Sequence, residues 1–100
     1  MLEQLSQFES RGIRRHGVLL LPQLAALEFL DASRGTIDQL LGFDAFRIVD
    51  ENRIQPLLEF TLDLSDSAHQ QLTHGQKYIV ARKVLQAASP ETHFEFVFGG

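Results

Sequence analysis

Residues 40–64 read LLGFDAFRIVDENRIQPLLEFTLDL, two apolar runs parted by the polar group Asp50, Glu51 and Asn52. Three polar residues between two such runs are a hairpin signal, though a weaker one than Asn-Gly. In the second run Ile54, Pro56, Leu58, Phe60, Leu62 and Leu64 alternate with Arg53, Gln55, Glu59, Thr61 and Asp63, with Leu57 as the exception. A period of two predicts one long strand with a buried face and a polar face. Leu40 to Val49 supplies its partner, and Gly42 inside that run marks a bulge or a close backbone approach. Pro56 has no amide to donate, so its strand either lies at a sheet edge or bends at that point.

Working outward, Leu2, Leu5 and Phe8 repeat every three residues, and the spacing predicts a helix over 2–11 that Gly12 stops. Gly17 opens the apolar run VLLLP. Pro22 suits the first turn of a second helix, with Leu24, Leu27 and Leu30 on one face and an end near Ser33, Arg34 and Gly35. Residues 36–39 fit a helical turn or a strand entry equally. A third helix is read over 67–88, with Ser65 or Ser67 as its cap, Gln70 completing a capping box in the second case, and Ala68, Leu72, Gly75 and Ile79 as a stripe that Tyr78, Val84 and Leu85 widen. Gly75 suggests close packing onto the sheet. Pro90 ends that helix, and His93–Phe98 alternates Phe94, Phe96 and Phe98 with His93, Glu95 and Val97, a last strand.

The expected fold is therefore α+β, in the order helix, helix, strand, strand, helix, strand. Its three-stranded, mainly antiparallel sheet packs against helices, and the last strand lies antiparallel beside the first. One domain, 1–100, accounts for the chain: 44% hydrophobic residues with eight Phe can fill a core at this length without a staple.

Composition narrows function. A formal charge of -4 disfavours nucleic acid, whose affinity comes largely from cations neutralising phosphates. The cluster Arg11, Arg14, Arg15 and His16 is too small to reverse this. With no cysteine, thiolate zinc sites, redox pairs and a Cys nucleophile are excluded. The longest apolar run, Val18 to Leu21, is far below the roughly 20 residues needed to cross a bilayer, so no membrane association and a cytoplasmic location are expected.

Catalytic patterns are thin. His69 and His74, five apart, diverge on a helix and do not form a metal pair, while Asp66 and His69 share a face without a third ligand. Ser65, Asp66, Ser67 and His69 contain triad residue types but no nucleophile elbow, and capping explains them better. The isolated glycines form no phosphate loop. No cofactor and no metal are expected. What remains is a surface: Glu59, Thr61 and Asp63 on the polar strand face, with Asp50 and Glu51 at the turn, offer acidic groups to a basic partner, and Arg53 would fix orientation.

The segment Leu40-Leu41-Gly42-Phe43-Asp44-Ala45-Phe46 resembles Ile-Leu-Gly-Gly-Asp-Val-Tyr of the immunity protein 40 family of bacterial polymorphic toxin systems. Leu24 to Leu30 resembles that family's Ala-Leu-rich helix. Ile54-Gln55-Pro56 and Gly75-Gln76-Lys77-Tyr78-Ile79 resemble its Ile-x-Pro and Ala-x-x-Tyr-Ile patterns. The resemblance spans about residues 9–98, with Phe43 in place of the second glycine and Glu59-Phe60 near the position of a Trp-Tyr pair. It implies a non-enzymatic immunity protein that binds and neutralises a cognate toxin C-terminal domain, often a nuclease, in contact-dependent growth inhibition. It supplies no catalytic residue. On that reading Asp50, Glu51, Arg53, Glu59 and Asp63 are the toxin-binding candidates. The alternative is a small ligand-binding or regulatory domain of a metabolic operon.

Overall fold

A computed structural model describes residues 2–66 and 69–99. Its elements run α1 (Leu2–Ser6), β1 (Ile13–Arg15), β2 (Val18–Pro22), α2 (Gln23–Ala32), β3 (Leu40–Asp50), β4 (Arg53–Pro56), β5 (Leu62–Asp63), α3 (His74–Ala87) and β6 (His93–Phe98). Shorter 3₁₀ turns occupy Glu9–Arg11, Arg34–Gln39 and Leu58–Phe60. The class is α+β as expected, but the antiparallel sheet has six strands rather than three, in the order β1-β2-β6-β3-β4 with β5 also on β3. β6 does lie antiparallel beside β3, from Phe46↔His93 to Leu40↔Phe98.

The first two strands were not anticipated. Arg15-His16-Gly17-Val18 closes a tight hairpin in which His16 (φ 54°) and Gly17 (φ 77°) both take the left-handed conformation that a two-residue turn with matching twist requires. Histidine and glycine are residues that enter this region. The first helix is correspondingly short: it stops at Ser6, and a 3₁₀ turn follows.

The expected long second strand is interrupted. Arg53–Pro56 pairs with β3, the chain leaves the sheet at Leu57 for the 3₁₀ turn Leu58–Phe60, and it returns as β5 beside Gly42 and Phe43. Leu58, expected inside, is 80% exposed. At the gap, buried Ala45 keeps both backbone partners: Leu57 N–H donates to its carbonyl at 2.8 Å, and its own N–H donates to the Thr61 hydroxyl at 3.3 Å. Thr61 in turn donates to the Leu57 carbonyl at 3.3 Å. A side-chain oxygen thus stands where a strand carbonyl would, which allows Pro56 to end the pairing without orphaning the centre of β3.

The third helix also departs from expectation. It starts at His74, where Thr73 and Gln76 form a reciprocal capping box: Gln76 N–H to Thr73 Oγ1 at 3.2 Å, and Thr73 N–H to Gln76 Oε1 at 2.9 Å. Ahead of it, Asp63 accepts from Ser65 N–H, Asp66 accepts from His69 N–H, and Gln70 donates to the Ser65 carbonyl. These local bonds offer the backbone an alternative to helix. The expected Ser67 cap and Ala68 contact lie outside the described residues. The buried face carries Ala81 and Leu85 with Tyr78, Val80 and Val84 at its border, whereas Ile79 is 50% exposed and open space surrounds Gly75, so that glycine has no packing role. In α2, Ala25, Ala26, Phe29 and Leu30 are buried and Leu24 faces out.

All three helices lie on one face of the sheet. Phe29 meets Phe96 edge-on at 4.7 Å and Phe8 at 5.6 Å, and Phe43 meets Phe94 and Phe96 at 5.5 Å each. Gly42 (φ 151°) closes the bulge that follows Leu40 in the pairing of β3 with β6, and a Cβ there would lie 2.1 Å from the Leu62 carbonyl oxygen of β5. Both readings of this glycine, bulge and close approach, hold.

Two substitutions probe this framework. Gly42→Ala combines a disallowed φ with a backbone clash and should cost about 2 kcal/mol or more, lowering Tm by roughly 8 °C or more in thermal unfolding. Thr61→Val, nearly isosteric, should cost about 1–2 kcal/mol in urea titration and speed hydrogen exchange at the Ala45 amide, whereas Thr61→Ser should not.

Candidate functional site

Strand alternation that buries Phe43 and Ala45 of β3 with Phe94 and Phe96 of β6 turns their neighbours to the opposite face. Over these two strands that face carries Asp44, Phe46 and Ile48 beside His93, Glu95 and Val97, none of them fully buried. Over β3 and β6 this side of the sheet is half exposed, whereas Leu20 beside it on β2 is buried. Asp44 stands directly across from Glu95. Neither carboxylate has a hydrogen bond or an ion pair among the described residues, and opposed like charges destabilise a sheet. Burial, followed by the charge of Asp44, holds the Glu95 carboxyl above its ordinary range.

Beside this pair a cleft of about 350 Å³ opens between β3, β5 and β6. Leu41 and Val97, 41% and 39% exposed, give it apolar walls, and Asp44, Thr61, Asp63 and Ser65 give it polar ones. Its lining contains two carboxylates and no cationic side chain. Asp63 accepts from the Ser65 hydroxyl at 2.6 Å and the Ser65 amide at 2.8 Å, and those bonds hold its carboxyl below the usual range, with His69 adding a minor electrostatic contribution.

The five residues expected to form one patch are spread out. Asp50, Glu51 and Arg53 sit at the β3–β4 turn, where Asp50 accepts from Arg53 Nε at 2.7 Å and Asn52 N–H at 2.9 Å. The Asn52 amide, then Arg53, keep Asp50 ionised to low pH. Glu59 projects from the 3₁₀ turn beside exposed Leu58. Asp63 pairs opposite Gly42, eight residues along β3 from Asp50, roughly 26 Å at about 3.3 Å per residue. The expectation of acidic groups close together on one strand face is therefore corrected: the interruption at Leu57 draws them into a track along one sheet edge. Asp44 is one of the carboxylates the sequence offers as acid–base candidates, but its opposition to Glu95 is not legible there, because it is set by the pairing of β3 with β6, more than 40 residues apart in the chain.

A second polar cluster joins the helices. Asp31 accepts from Tyr78 Oη and from Arg82 Nη1 at 2.7 Å, and Arg34 lies over the Tyr78 ring at 4.2 Å. His74 bridges Asp38 Oδ2 at 2.9 Å and the Arg34 carbonyl at 3.0 Å, while Lys77 reaches Asp38 Oδ1 at 3.3 Å. The Asp31 bond raises the Tyr78 hydroxyl above its ordinary range, and the His74 bond, then Lys77, lowers Asp38. These carboxylates already have cationic partners within the fold, and the cluster clamps the end of α2 and residues 34–39 to α3.

Other candidates resolve into local structure. Ser65 donates to Asp63 rather than to His69, whose Nδ1 pairs with Asp66 at 2.7 Å. Among the described residues no group of three or more His, Asp or Glu side chains could hold a metal. A cavity of about 220 Å³ lies where β2 parts from β6 beyond Leu21↔Phe94, lined by Leu5, Leu19, Phe96, Arg14 and Glu95. Arg14 there is bonded to Glu9 and to the Gly17 carbonyl, so it leaves Glu95 unneutralised. No helix among the described residues is long and apolar enough to cross a membrane.

Compared with known proteins, the chain matches no family model, no curated protein and no solved structure.

The Asp44–Glu95 opposition has a signed consequence. The folded chain holds the Glu95 proton more tightly than the unfolded chain, so the stability linked to that proton is present at acid pH and is lost as pH rises through its titration. Glu95→Gln should therefore raise Tm by a few degrees at pH 7, in keeping with roughly 0.2–1 kcal/mol for opposed like charges. The gap between variant and parent should close at acid pH, where the Glu95 carboxyl of the parent is protonated and as neutral as the amide that replaces it. His93, on the same face with Nδ1 on the Glu91 carbonyl, is common to both proteins and cancels in this comparison.

Proposed function

We propose that this domain is a non-enzymatic immunity protein of the bacterial polymorphic toxin type, which binds and neutralises a cognate toxin domain in the cytoplasm. The observation that carries the reading is the half-exposed face of β3 and β6 with its unneutralised Asp44–Glu95 pair. Stability alone gives no reason to keep two like charges opposed, whereas a basic partner would relieve them on binding. The resemblance of residues 40–46, 54–56 and 75–79 to the immunity protein 40 family supports the same class. Those stretches fall within β3, β4 and α3, elements that set out the fold and leave its edge free for recognition.

Asp50, Glu51 and Arg53 at the turn, Glu59 on the 3₁₀ turn and Asp63 in β5 form the toxin-binding track. Its length of about 26 Å matches the width of a patch of roughly 800 Å² per partner, a common size for stable complexes. Exposed Leu58 adds an apolar contact amid these charges. A nuclease toxin fits this chemistry, because acidic side chains placed like phosphates would occupy its basic active site or a surface beside it.

The test is co-expression with the C-terminal toxin domain encoded next to this chain's gene, read as growth rescue and co-purification. Reversal of Glu59 and Asp63 to Lys should weaken the complex by well over tenfold and abolish rescue at low inducer. Full rescue by that double variant would place the interface elsewhere, and absence of both binding and rescue by the parent chain would reject the immunity reading.

A further inference from the structure

We infer that the cleft between β3, β5 and β6 receives a single arginine side chain from a protein partner, its stem against Leu41 and Val97 and its guanidinium at Asp44 and Asp63. The inference rests on the protein-binding reading and specifies what the partner must present there. Three features select this occupant. The cleft is about 350 Å³, at the small end of the roughly 300–1,000 Å³ typical of small-molecule sites and sized for one long side chain. Its walls pair exposed apolar carbons with carboxylates, the complement of a side chain that is aliphatic along its stem and cationic at its end.

The charge balance is the third. Two carboxylates line the cleft, Glu95 stands across from one of them, and no cation in the lining neutralises them. Asp63 is already oriented by Ser65 and remains an acceptor with lone pairs to spare. A guanidinium suits two separated carboxylates better than an ammonium does, since its planar fork donates in several directions and is more weakly hydrated. Arginine is also prominent among the few residues that carry most of an interface's energy.

The Gly42 bulge shapes the site. It carries no side chain, and its pairing with Asp63 turns that carboxylate onto the half-exposed face, opposite buried Leu62. The same register that makes Gly42 necessary for folding therefore brings Asp63 to the cleft that Asp44 lines.

The experiment is a titration of the isotopically labelled protein with N-acetyl-arginine amide, monitored by amide chemical shifts, beside N-acetyl-norleucine amide as a neutral probe with a similar stem. Saturable shifts confined to residues around Leu41, Asp44, Leu62 and Val97 are expected with the arginine probe alone. They should weaken at least fivefold in Asp44→Asn and shrink as salt is raised. Asp44→Asn should fold with a Tm no lower than the parent, which separates loss of binding from loss of structure. Equal shifts with the neutral probe, shifts scattered over the surface, or an undiminished response in Asp44→Asn would overturn the inference. Because the probe is a single amino acid derivative, this outcome is independent of toxin rescue: localised arginine binding without rescue would reject the immunity reading and keep the cleft assignment, and rescue without arginine binding would do the reverse.

Discussion

Everything in this fold depends on β6 entering the sheet between β2 and β3. Without it, the hairpin β1–β2 and the group β3–β4–β5 are separate pieces with no shared hydrogen bonds. Its two inward rings, Phe94 and Phe96, meet Phe43 in the sheet and Phe29 in the helical layer, so one strand closes the ladder and the core together. Each buried ring contributes roughly 1.5–3 kcal/mol relative to exposure. The cost is topological: pairing His93 with Phe46 closes a long loop before the contacts form, which makes this step slow relative to local hairpins.

The same strand sets the charge on the opposite face of the sheet. Alternation that is required to bury Phe94 and Phe96 forces Glu95 outward, and the register with β3 places it opposite Asp44. The core and the charge conflict are thus two faces of one pairing. A one-residue slip would relieve the carboxylates only by exposing both rings, so the electrostatic strain is held in place by far larger apolar forces.

Much of the scaffold was legible because its signals are local. The alternation of residues 93–98 specified β6, the apolar run from Leu40 specified β3, and Gly42 announced its bulge without knowledge of Leu62. The reading failed where distant groups compete with local pattern. Residues 53–64 alternate as one strand should, yet Thr61 and Leu57 serve Ala45 from outside the ladder, and the pattern cannot reveal that. The start of α3 was obscured by Asp63 and Asp66, which hold the preceding backbone in turns. His16-Gly17 did carry a turn signal, less familiar than Asn-Gly but built on the same left-handed pair. For the site, sequence named the acidic residues along one edge, Asp44 among its carboxylates, and missed the opposition of Asp44 to Glu95, which exists only in the register.

The interruption at Leu57–Thr61 also bears on how this chain behaves in a crowded solution. An outermost strand with an unbroken row of amides and carbonyls is a template onto which another molecule can zip, the first step toward fibrous aggregates. Here β4 offers four residues ending in Pro56, the chain then swings away, and only two residues return. At the other margin β1 offers three, two of them arginines. Neither border is long enough to nucleate a cross-strand stack, so the domain can expose an acidic edge while remaining a poor seed for its own polymerisation.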